Sequence, residues 1–81
     1  MGVITYYVTM AFRRDEEGEL VALDAVEARS PNAAVSQARA LAAKEAGAVA
    51  FSRTGDPDIG EFAEAVVLYR EGEVPDEVPV S

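Results

Sequence analysis

The chain contains no cysteine and no histidine, and only seven basic residues stand against fifteen acidic ones. Without cysteine there is no disulfide framework of the kind that holds small secreted scaffolds together. The two absences together remove the commonest general base, the commonest transition-metal ligands and the best side-chain nucleophile. Basic charge is scarce too: Lys44 is the only lysine, and of six arginines only Arg13 and Arg14 are adjacent. Asp15, Glu16 and Glu17 follow them at once, so no basic patch for nucleic acid is expected. No apolar run approaches the roughly 20 residues of a membrane helix. Met1 to Met10 has neither the basic segment nor the long apolar stretch of a signal peptide. The expected location is the cytoplasm, with no membrane partner. The glycines stand singly and never form a phosphate-cradling pattern.

What is present is acidic charge on a globular composition. The formal net charge is −8 over 81 residues, and 49% of the residues are apolar. The apolar fraction is ordinary for a folded domain, and the length allows one domain with a small core. Such a charge disfavours nucleic acid as a direct partner and favours a basic protein surface.

The pattern along the chain predicts strand, strand, helix, strand, strand. Val3 to Arg13 alternates with a period of two and is rich in β-branched and aromatic residues. Ile4, Tyr6, Val8, Met10 and Phe12 form its larger apolar face and are expected to face the core. Asp15-Glu16-Glu17-Gly18 reads as a hairpin turn, with Leu20 to Arg29 returning through a bulge near Ala25 or Val26. Ser30-Pro31 is a helix start, and the helix is expected from Pro31 to Ala46, stopping at Gly47. Its stripe is Val35, Ala38, Leu41, Ala42 and Ala46.

Ala48 to Thr54 and Phe62 to Arg70 read as the last two strands, joined by a polar loop from Gly55 to Gly60. Phe62, Val66 and Leu68 are the expected inward set of the last strand. The expected fold class is α+β, a four-stranded antiparallel sheet with one helix on one face. Residues 1–72 form the domain, and 73–81, acidic and twice interrupted by proline, form a tail.

No catalytic set emerges from the residues. Ser52 has no histidine, and nothing in the sequence activates Tyr6, Tyr7 or Tyr69 as acid–base groups. Asp56-Pro57-Asp58-Ile59-Gly60-Glu61 supplies the D-x-D of a calcium loop, but the glycine comes one residue early and the later ligands are missing. The expectation is a turn, no metal, no cofactor and no enzymatic activity.

The acids gather at the hairpin, at the second loop, and in the tail at Glu71, Glu73, Asp76 and Glu77. Carboxylates spaced along one edge can occupy the Arg and Lys sites that a protein uses for a nucleic-acid backbone. The candidate partner-binding residues are therefore Asp15, Glu16, Glu17, Asp56, Asp58 and Glu61. Thr5, Tyr7, Thr9, Val67 and Tyr69 are the candidate dimer contacts, on a sheet face left open opposite the helix.

In size, acidity, lack of cysteine and lack of a catalytic set, the chain resembles phage-encoded anti-CRISPR proteins acting on type I complexes. The resemblance implies a non-enzymatic inhibitor that binds a basic nucleic-acid channel or a Cas subunit and blocks target recognition. It carries over no residue roles. Gly47 to Phe62 also resembles a block of small uncharacterised bacterial proteins, which implies no activity. The alternative expectation is a small dimeric structural or regulatory domain of a bacterial cell.

Overall fold

The computed structural model describes residues 2–75. The chain is α+β, with one helix and a curled antiparallel sheet. Among the described residues the sheet has six strands rather than the four expected, two long and four short. In chain order the elements are β1 (Ile4–Arg14), β2 (Leu20–Ala22), β3 (Val26–Ala28), α1 (Pro31–Ala42), β4 (Gly47–Asp56), β5 (Glu61–Phe62) and β6 (Val66–Gly72). β1 and β4 are the long central pair, in register from Ile4 opposite Gly55 to Phe12 opposite Gly47. β2 and β3 both pair with β1, and β5 and β6 both pair with β4.

The two predicted outer strands are each broken in two, and the cause is a shift of register. Phe12 faces Ala22, but Tyr7 faces Ala28, so one extra residue is absorbed between β2 and β3. Leu23 N–H bridges the break by donating to the Ala11 carbonyl. This is the bulge that the switch of apolar face at Ala25–Val26 signalled. A second shift of the same kind separates β5 from β6, and a third lies within β6 opposite Ala50 and Phe51. Repeated bulges bend outer strands, which suits a sheet that curls.

The helix begins as its sequence dictates. Ser30 is extended, its hydroxyl accepts from Ala33 N–H, and Pro31 occupies the first turn. It ends at Ala42, one turn earlier than the expected Ala46. Lys44 and Glu45 N–H both donate to the Leu41 carbonyl, and the Ala46 carbonyl accepts from Glu73 N–H instead of from a further helical turn. Gly47 is already the first residue of β4. A Cβ there would overlap the Glu73 backbone, so the crossing of these two segments requires glycine.

The sides of the sheet are reversed relative to expectation. The helix lies on the face of Tyr7, Thr9 and Ala11, not on that of Met10 and Phe12. Ala34 and Ala38 of α1 pack with Ala28, Ala48 and Ala50, and Tyr7 and Tyr69 flank them. Thr9 is fully buried, and its hydroxyl donates to the Ala34 carbonyl at 2.9 Å. Small residues on both partners let helix and sheet approach closely enough for that bond. The larger set makes a second core on the opposite face: Met10, Phe12, Val49 and Phe51, all 7% exposed or less. Leu20, Ala65 and Val74 pack against it. Of the expected inward set, Ile4, Phe62, Val66 and Leu68 are exposed.

Candidate protein-binding surfaces

The hairpin tip is built around one carboxylate. Asp15 Oδ1 accepts from both Glu17 N–H and Glu19 N–H at 2.9 Å, and the Asp15 carbonyl accepts from Gly18 N–H. Gly18 takes a positive φ of 82°, which closes the turn. Asp15 therefore shapes the tip, while Glu16 and Glu17 are exposed at its apex. The adjacent arginines are committed to the fold. Arg13 pairs with Glu45 at 3.3 Å. Arg14 pairs with Glu73 at 2.9 Å and donates to the Gly18 carbonyl. The tip, the start of β4 and the end of β6 thus meet at one end of the sheet. Asp15, Glu16, Glu17, Glu19, Glu45 and Glu73 gather there against two arginines.

The second acidic loop lies at the other end. β1 runs from Ile4, opposite Gly55, to Arg14 at the hairpin. At about 3.3 Å per residue, the two tips are roughly 33 Å apart. The structure thus divides the six predicted partner-binding residues: Asp15, Glu16 and Glu17 at one end, Asp56, Asp58 and Glu61 at the other. Asp56 repeats the device of Asp15. Its Oδ1 accepts from Asp58 N–H at 2.9 Å and its carbonyl accepts from Gly60 N–H. Glu61 opens β5 and is exposed. Among the described residues no group of three or more Asp or Glu converges as a metal site.

The second end also carries apolar surface. Val3, Ile59, Phe62, Asp56 and Glu61 line an open groove of about 460 Å³. Phe62 stacks at 6.0 Å from Tyr6, and the Arg53 guanidinium lies 5.4 Å from the Phe62 centroid. Arg53 Nε donates to the Ala63 carbonyl, which ties the break between β5 and β6 to β4. The sequence hinted at this surface only through Ile59, an apolar residue set inside a polar turn.

The predicted dimer contacts do not form an open face. Thr9 is sealed beneath α1, and Tyr7 and Tyr69 pack against the helix cluster. Only Thr5 and Val67 are exposed, and Thr5 bonds Thr54 through their hydroxyls at 2.9 Å. The helix covers the side of Tyr7, Thr9 and Tyr69, whereas Val67 pairs with Phe51 on the opposite face, across the register shift between Ala50 and Phe51. Tyr69 donates its hydroxyl to Glu71 and lies 5.3 Å beneath the Arg39 guanidinium. The Glu71 carboxylate, helped by desolvation, raises the Tyr69 hydroxyl above the usual tyrosine range, and Arg39 opposes it.

The segment 73–75 stays on the body. Arg70 Nη2 donates to the Val74 carbonyl at 3.2 Å, and Val74 packs on the second core. Asp76 and Glu77 of the predicted tail lie outside the described residues. No helix among the described residues is long and apolar enough to cross a membrane. No protein-family model, curated protein or solved structure matches the chain.

Proposed function

We propose that the chain is a non-enzymatic binding domain that engages a basic, nucleic-acid-binding protein and blocks it, in the manner of an anti-CRISPR inhibitor. The observation that carries this reading is the hairpin end. Asp15 fixes the turn from within, so Glu16 and Glu17 are held out on a preorganised tip. Preorganised carboxylates lose little freedom on pairing with Arg or Lys. Arg13 and Arg14, which precede the tip, are each paired internally. The end therefore presents net negative charge, as a mimic of a phosphate backbone must.

The test begins with capture of partners on the immobilised chain from its native host. Each captured protein is then assayed for DNA or RNA binding with and without the chain. A basic protein that loses nucleic-acid binding when the chain is added, and keeps it when Glu16→Lys/Glu17→Lys is added, is the expected outcome. Captured proteins that are acidic, or whose nucleic-acid binding is unaffected, contradict the reading.

A further inference from the structure

We propose that the opposite end of the sheet is a second docking site, for an extended segment of a partner protein in which apolar residues alternate with Lys or Arg. This goes beyond the hairpin-end reading and does not depend on it.

Exposed apolar residues are concentrated here. Ile59 is 65% exposed and Val3 70%, and Phe62, at 36%, continues the surface onto β5. Beside them Val66, Val67 and Leu68 are exposed along β6. β5 and β6 each pair with β4 on one side, and on the other side neither pairs with a strand among the described residues. An open edge with β-branched apolar residues is a template for strand addition.

Charge selects the occupant. Asp56, Asp58, Glu61 and Glu64 surround the apolar surface, and Arg53 is the one cation beside it among the described residues. That cation is stacked on Phe62 and bonded to Ala63. A second copy of this chain would bring a net charge of −8 to an already negative rim. A segment with Lys or Arg between apolar residues meets both features at once. Its backbone pairs along Val66–Leu68, its apolar side chains fill the groove between Ile59 and Phe62, and its cations reach the carboxylates.

Panning a random peptide library displayed on phage against the wild-type chain tests this. Enriched peptides are synthesised, and their affinity and backbone amide shifts are measured. The expected result is enrichment of alternating apolar and basic residues, with shifts confined to Val3, Thr54–Phe62 and Val66–Leu68. Ile59→Ser and Glu61→Lys, both at exposed positions, should each weaken binding about tenfold. Glu16→Lys/Glu17→Lys, at the far end, should weaken it much less. Three outcomes overturn the proposal: no enrichment, peptides without basic residues, or shifts centred on the hairpin end. Self-association of the chain that blocks peptide binding assigns the surface to a second copy and overturns it equally.

Discussion

Phe12 keeps the core place that its strand pattern promises, whereas Leu41 does not keep the central place that its stripe promises. Leu41 is the one large residue in an alanine stripe, yet it is only half-buried at the margin of the helix cluster. Phe12 is 1% exposed on the face away from the helix. Phe12→Ala should therefore cost about 3–5 kcal/mol, and Leu41→Ala should cost less than the ~2 kcal/mol at which fully buried leucines begin. Urea titration of both variants checks the order, and a larger loss at Leu41 would mean that the helix cluster dominates stability. Tyr69 supplies a pH signature. Its hydroxyl titrates higher in the folded chain than in the unfolded one, because Glu71 and desolvation disfavour the phenolate. The stabilisation from this group is full below the unfolded pKa of about 10 and is lost as pH rises through the folded value. Melting temperatures from neutral to alkaline pH should show the loss in the wild type. In Tyr69→Phe, where Tyr6 and Tyr7 still titrate, the alkaline decline should be shallower. Parallel curves would show that the Glu71 contact is not maintained in solution.

At the scale of elements, what could be read from the sequence was whatever depends on neighbouring residues. Ser30-Pro31 marks the helix start, Asp15-Glu16-Glu17-Gly18 marks the hairpin, and the switch of apolar face at Ala25–Val26 marks a break in strand pairing. Which face the helix would cover was not legible by the same means. Size and hydrophobicity favoured Met10 and Phe12, but the helix is lined with alanine and settles where the sheet is equally small, at Thr9, Ala48 and Ala50. The Thr9 hydroxyl fits there because it finds the Ala34 carbonyl, a partner 25 residues away that no local pattern reveals. Thr9→Val keeps the shape and removes that bond, and should cost about 1 kcal/mol by denaturant titration. An unchanged midpoint would show that the hydroxyl adds nothing to packing. At the hairpin, Asp15→Ala removes the acceptor of two turn N–H groups and should increase amide exchange at Glu17 and Glu19 while leaving β4 protected. Unchanged exchange at those two amides would show that the turn holds without its carboxylate.

For the whole molecule, the consequence of the long β1–β4 pair is separation. It places one acidic loop at each end of the sheet, a relation that follows from strand pairing and not from any local motif. Composition revealed the negative charge; only the topology shows that it is divided between two ends with different surroundings. The hairpin end combines fixed carboxylates with arginines engaged internally, and the other end combines carboxylates with exposed Ile59 and Phe62. The interaction proposed for the hairpin end would rest on charge, so it should be fast and sensitive to salt, with screening over about 8 Å at physiological ionic strength. The most direct test is the association rate of the captured basic partner, measured by stopped flow at low and high salt, for the wild type and for Glu16→Lys/Glu17→Lys. The account predicts that added salt slows the wild type steeply and that the double reversal slows association more than it speeds dissociation. An association rate indifferent to both salt and reversal would contradict it.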